Sequence, residues 1–154
     1  MAIWVSKVRV EGIRGFNDEA SFDLGPGLNL LVGENGAGKT SFLQAIEWCL
    51  TGKMKYMEGD EFSREDAIVN LFNPQGVGKA TLILQTPKGE LEVTRKRKRG
   101  KSTSRGSSPL TVRVGKRTLE GKEAESHLEE VLGLPAGEIS NSIYLHQEAL
   151  RAIL

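Results

Sequence analysis

Gly33-Glu-Asn-Gly-Ala-Gly-Lys-Thr40 has the residue types and spacing to hold a nucleoside triphosphate. The eight residues fit G-x-x-x-x-G-K-[ST], in which glycines let the backbone curl until successive N–H groups face phosphate oxygens. Gly33, Gly36 and Gly38 supply that freedom here. The positive end of the following helix adds to the attraction. In such a loop Lys39 reaches the β- and γ-phosphates, and the Thr40 hydroxyl is a ligand for Mg²⁺. The pattern carries weight only between a strand and a helix. Leu28 to Val32 is a short apolar run that predicts the strand, and Thr40 to Leu50 predicts the helix. A chance glycine-rich turn is the competing reading, and the agreement of pattern with context weighs against it.

The second cluster is basic: Arg95-Lys-Arg-Lys-Arg99, then Lys101 and Arg105. Residues 92 to 117 hold ten basic residues and one acid, an excess of +9, against −8 for the rest and +1 for the chain. Alternate residues of a strand point to opposite faces, so such a run cannot all be buried. It is solvated or bound to something anionic, and phosphate backbone is the partner of choice, with salt-dependent affinity. No aromatic residue is interleaved, so the sequence predicts backbone contact rather than base stacking. A solvated hairpin tip or a targeting-like basic patch is the alternative.

These clusters need elements to position them. Trp4 to Val10 alternates apolar and polar residues as a half-buried strand does, Glu11 to Asn17 is a turn, and Ala20 to Leu24 reads as a second strand. On the helix after the loop, Phe42, Leu43, Ile46, Cys49 and Leu50 share one face that should pack on a sheet. Lys53 to Asn73 is polar and gives few signals. Lys79 to Thr86 and Leu91 to Lys98 predict a hairpin, Leu110 to Val114 and Arg117 to Leu119 a smaller one, and Gly121 to Leu132 a helix stopped by Gly133. Arg99 to Ser108 has the composition of a segment that orders only with a partner. Ile139 to Leu145 is apolar and ends in His146-Gln147.

The 154 residues, 38% hydrophobic and 27% charged, suit one domain with a real core. No apolar run reaches membrane-span length, and Met1 to Val5 meets charge too soon for a signal peptide. The single cysteine, Cys49, has no disulfide partner within the chain, which points to a cytosolic setting. No Cys/His spacing suggests zinc, and Asp60-Glu61 follows no apolar strand, so it does not fit a Walker B motif.

Taken in order, these features resemble the N-terminal half of an ABC-type ATPase head of the SMC superfamily, most closely the Rad-fifty type of DNA double-strand-break repair ATPase. The resemblance rests on the first strand, the turn carrying Arg14-Gly-Phe16, the Asn-Gly-x-Gly-Lys form of the loop through Ser41, a β-rich insertion, and Ser142-Ile-Tyr-Leu-His-Gln147 before Ala149 to Leu154. It implies an α/β P-loop NTPase fold, one N-terminal lobe truncated after the Q-loop. Residues 1–52 would carry strands, loop and first helix, 53–120 the basic insertion, and 121–154 helices and Q-loop.

The resemblance also implies roles. Arg14, Asn35, Gly36, Ala37, Gly38, Lys39, Thr40 and Ser41 would bind ATP; Thr40 and Gln147 would hold Mg²⁺; Lys39 and Gln147 would serve catalysis, Gln147 lying near the attacking water. Arg64 falls where such heads carry a further arginine, in a loose alignment. Arg95, Lys96, Arg97, Lys98, Arg99, Lys101 and Arg105 would meet DNA. The Asp-Glu strand, the Leu-Ser-Gly-Gly signature and the switch histidine are absent from the sequence. Negligible ATPase activity is therefore expected of the chain alone, with activity restored by a C-terminal half. Further implied partners are a second head, engaged on ATP binding, double-stranded DNA and a nuclease subunit, in a cytoplasmic or nucleoid setting without membrane. A non-catalytic nucleotide-gated DNA-binding module and a RecF-like or defence ATPase subunit are the alternatives.

Overall fold

A computed structural model describes residues 3–34, 36–53, 66–99 and 108–142, with only the backbone of residues 66 and 140–142. Six strands form one antiparallel sheet: β1 (Trp4–Glu11), β2 (Ala20–Asp23), β3 (Val77–Thr86), β4 (Gly89–Lys98), β5 (Leu110–Val114) and β6 (Arg117–Glu120), in spatial order β2-β1-β3-β4-β5-β6. Helix α1 (Lys39–Thr51) packs on β1, β3 and β4, α2 (Gly121–Leu132) on β5 and β6, and α3 (Ala136–Ser142) on α1. A 3-10 turn spans Asp66–Ile68. No described helix is long and apolar enough to cross a membrane.

Alternation selects the buried face. Val8 and Val10 of β1, Ala80, Leu82 and Leu84 of β3, Leu91 and Val93 of β4, and Leu110 and Val112 of β5 all lie beneath the helices. Registers such as Val8↔Leu82 and Leu82↔Val93 align these residues in rows across the sheet. Phe42, Ala45, Trp48, Cys49 and Leu50 complete the core from α1. Each large apolar side chain so buried contributes about 1.5–3 kcal/mol. The expected helix face is therefore corrected at one position. Ala45 and Trp48 are buried, whereas Leu43 is 48% exposed, because it points around the helix away from the sheet. Gly52, at φ 74°, caps α1 and donates to the Trp48 carbonyl at 2.7 Å.

One expectation is revised. Leu28 to Val32 joins no sheet; Leu28, Leu30 and Val32 are 98%, 85% and 80% exposed. A strand is held by the ladder of a neighbour, and no described segment runs beside this one. Ile139, where the apolar stretch begins, is buried in α3, and residues 143–145 lie outside the described residues.

Cys49 is enclosed between α1 and the sheet, its thiol within 3.4 Å of the Ala80 carbonyl and 3.6 Å of that of Val93. Burial pushes the thiol up to about 12 from its ordinary 9.0, against the opposing pull of the Arg95 charge. The folded protein thus keeps a proton that the unfolded chain loses above about pH 9. Its contribution to stability is complete below that pH and is lost as pH rises toward about 12. Urea titrations at pH 8 and pH 10.5 should show Cys49→Ala losing less stability with pH than the parent. Equal losses would contradict the burial of a neutral thiol.

Candidate nucleotide site and basic strand

The glycine loop runs from the exposed Leu28–Val32 stretch into the first turn of α1. Gly36 and Gly38 have φ of 85° and 104°, a left-handed backbone that β-carbons oppose, and Gly38 is the N-cap of α1. The Ala37 N–H donates to the Glu34 carbonyl at 3.1 Å and closes the loop. The Lys39 ammonium donates to the carbonyls of Gly33 and Glu34, the latter at 3.0 Å, so the lysine folds back along the loop that would cradle a phosphate. Thr40 is exposed at the start of the helix. Glycines of positive φ, a lysine over the loop and an exposed hydroxyl at a helix N-terminus form a donor set that suits a triphosphate with Mg²⁺.

The turn after β1 is pressed against this loop. The Gly15 N–H donates to Ser41 Oγ at 3.2 Å. A β-carbon on Gly38 would lie 3.1 Å from the tip of the Phe16 ring, so the ring covers the loop's last glycine. Phe16, Phe22 and Phe42 continue edge to face, with centroids 5.8 and 5.0 Å apart. Arg14 sits at the tip of the turn with φ 45°, uncommon for a residue with a side chain. That backbone is fixed by its N–H donating to the Ile68 carbonyl at 2.8 Å and by Asn70 Nδ2 donating to its carbonyl. Its guanidinium reaches the Ala67 carbonyl at 3.4 Å. Gly12 permits the close fit, since a β-carbon there would lie 2.2 Å from the Val77 carbonyl oxygen.

The basic strand divides by face. Arg95 and Arg97 are 2% and 1% exposed, whereas Lys96 and Lys98 are exposed. Arg95 Nε donates to the Cys49 carbonyl at 3.0 Å, and Nη1 to the Ser108 carbonyl and to Glu125 Oε1, both at 2.8 Å. Arg97 Nη1 donates to Ser108 Oγ at 2.8 Å. Arg99 Nη2 donates to the Asn70 carbonyl at 2.6 Å. The expectation that residues 95–99 form one DNA-facing set is corrected accordingly. Arg95 and Arg97 point under the helices because β4 alternates, and Arg99 is a half-buried strut. Lys96 and Lys98, with Lys79 paired to Lys96, are the outward cations.

Asn35, Arg64, Lys101, Arg105, His146 and Gln147 lie outside the described residues, as do Asp60-Glu61. Arg14, Gly36, Ala37, Gly38, Lys39, Thr40 and Ser41 are gathered by the loop and the turn against it. Sequence reasoning missed Asn70, Asn73 and Glu125, and it named Phe16 in its turn without the packing role on Gly38. The two asparagines at three-residue spacing before Pro74 were a turn signal open to reading. Nothing local marked Glu125, which meets Arg95 from 30 residues away.

Comparison with known proteins fits this geometry. The AAA domain family model matches residues 7–154. The chain therefore belongs to that family, a class of P-loop ATPases. Its fold is that of the N-terminal portion of an SMC ATPase head. A chain solved in work on ATP-driven dimerization and DNA-stimulated activation of SMC ATPases superposes with a TM-score of 0.62 at 16% identity, covering 97% of this chain and 96% of that one. Arcadin-4 of Pyrobaculum calidifontis is 31% identical over 150 residues, 97% of this chain and 18% of Arcadin-4. The DNA repair protein RAD50 of Saccharomyces cerevisiae is 36% identical over 52 residues, 32% of this chain and 4% of that protein. The chain thus spans less than a fifth of these relatives, and the similarity singles out the superfamily rather than the Rad-fifty type.

The packing of turn against loop can be tested. Gly38→Ala should destabilise the fold by about 1–3 kcal/mol in urea titrations, from backbone strain and the Phe16 contact together. In a double-mutant cycle, Phe16→Ala should relieve the steric part and give a coupling of roughly 0.5 kcal/mol or more. Strict additivity would place the ring elsewhere.

Proposed function

We propose that the chain is the ATP-binding N-terminal lobe of an SMC-superfamily head that engages DNA, and that its hydrolytic activity requires a C-terminal lobe. One observation carries this reading: the phosphate loop is braced on one side, by Phe16 on Gly38 and Ser41 on Gly15, while the apolar stretch that feeds it is uncovered. Lys39 and the loop N–H groups bind the triphosphate, Thr40 and Gln147 hold Mg²⁺, and Arg14 offsets γ-phosphate charge. Mg²⁺ supplies neutralisation of the phosphate oxygens. The second lobe provides the missing ladder and the base, and two heads close on ATP. Chromosome organisation or double-strand-break repair, a cytoplasmic or nucleoid setting and a nuclease partner are the finer readings that the superfamily offers.

Mixing the chain with a candidate C-terminal half should raise ATP turnover well above background, further with double-stranded DNA, and Lys39→Ala should abolish nucleotide binding. Background turnover by the mixture, with ATP binding still abolished in Lys39→Ala, would leave a nucleotide-gated binding module instead of a catalytic head. For DNA, Lys96→Ala/Lys98→Ala should weaken binding and flatten its salt dependence, by roughly 0.9 in the logarithmic slope for each phosphate no longer neutralised. Arg95→Lys should leave that slope unchanged. An unaltered slope in the lysine variant would remove β4 from the DNA surface.

A further inference from the structure

In the turn that braces the phosphate loop, the backbone strain sits on an arginine although a glycine stands beside it. Glycine takes positive φ at no cost, whereas a residue with a β-carbon resists it. Arg14 nevertheless has φ 45°, and Gly15 does not lie in that region. Such a conformation persists only where the surroundings over-determine it. Here the contacts come from one segment. The Arg14 N–H donates to the Ile68 carbonyl at 2.8 Å, and Asn70 Nδ2 donates to the Arg14 carbonyl. Both backbone polar groups of the strained residue are thus clamped from a distant part of the chain.

Asn70 is itself held on every side. It is buried, and its N–H donates to the Gly12 carbonyl at 2.8 Å. Its carbonyl accepts the Arg99 guanidinium at 2.6 Å, and its Oδ1 accepts the Phe72 N–H at 2.8 Å. A side-chain oxygen bonded two residues on is an Asx turn, and it fixes the amide so that the donor faces Arg14. What this clamp positions is the brace. Ile13 and Phe16 close the turn with bonds of 2.9 and 2.7 Å. From it the Gly15 N–H reaches Ser41 Oγ, and the Phe16 ring covers Gly38, the N-cap of α1. Relaxation at residue 14 redirects Gly15 and Phe16 and breaks those contacts. A loop without its brace holds its phosphate-binding shape for a smaller fraction of the time, and apparent affinity falls by that fraction.

We propose that Asn70 is a positioning residue for the nucleotide site. It holds Arg14 in the left-handed conformation that sets Gly15 and Phe16 against the phosphate loop, and it acts without touching the nucleotide. The inference rests on the nucleotide-binding reading given above and adds a residue to that site.

The test measures binding of N-methylanthraniloyl ATP with Mg²⁺ to the full chain by fluorescence, at a temperature where circular dichroism shows each variant folded. Asn70→Ala should weaken binding roughly tenfold, as when the brace is in place in about one molecule in ten. Asn70→Asp keeps the acceptor for the Phe72 N–H and removes the donor to Arg14. It should weaken binding likewise, and it carries the test where Asn70→Ala does not fold. Arg14→Gly removes the strain that the clamp opposes, so adding Asn70→Ala to it should cost no more than about twofold. Val112→Ala truncates the core on β5, with β3 and β4 between it and β1, and should bind like the parent. If the Asn70 variants bind like the parent, or cost as much in the Arg14→Gly background, the positioning role is overturned and the nucleotide reading stands. If Val112→Ala is weakened as much as Asn70→Ala, affinity follows global stability and the role is likewise overturned. If the parent binds no nucleotide, the underlying reading fails with it.

Discussion

A single buried guanidinium ties α1 and α2 to the sheet. Arg95 leaves β4, passes beneath the end of α1 and takes the carbonyl of Cys49, the carbonyl of Ser108 and the carboxylate of Glu125 on α2. An isolated charge at that depth would cost several kcal/mol. Here it meets the negative end of a helix that has no basic residue of its own in its last turn. Gly52 makes the approach possible, because a β-carbon there would lie 3.2 Å from Arg95 Nη1. Without this guanidinium the C-terminal end of α1 would lose its counter-charge, α2 its ion pair to β4, and Cys49 the cation that tempers its burial.

The polarity of α1 unites the two ends of the molecule. Its N-terminus issues from the glycine loop, where the first-turn N–H groups lack intrahelical acceptors and suit an anion. Its C-terminus is satisfied by Arg95. The helix is thus fixed at one end by the fold and left open at the other, and rigid packing of Phe42, Ala45 and Trp48 against the sheet joins the ends. The turn bearing Arg14 and Phe16 belongs to the same assembly, since Asn70 binds it to the Arg99 end of β4.

Much of this is legible in the chain. The strand patterns of β1, β3, β4 and β5, the start and glycine stop of α2, and the loop with its helix follow from local periodicity and capping. What periodicity withholds is the identity of the inner face. In Arg95-Lys-Arg-Lys the alternation is plain, but only the placement of α1 and α2 decides that the arginines turn inward and the lysines outward. The stretch from Leu28 to Val32 shows the opposite limit. Its apolar composition signals a tendency to be buried, but a strand is a property of pairs, and among the described residues none pairs with it. Asn70 and Phe16 act through residues distant in sequence, where no local signal reaches.

If the chain acts as proposed, the uncovered Leu28–Val32 stretch would make nucleotide affinity a reporter of assembly. The phosphate loop inherits its geometry from a segment that lacks a ladder of its own, so whatever orders that segment also orders the loop. On the function proposed above, linkage would make the effect reciprocal: a polypeptide pairing with Leu28–Val32 would change triphosphate affinity by the factor by which the triphosphate changes the pairing. Two binding events at opposite ends of five residues would then share a coupling free energy.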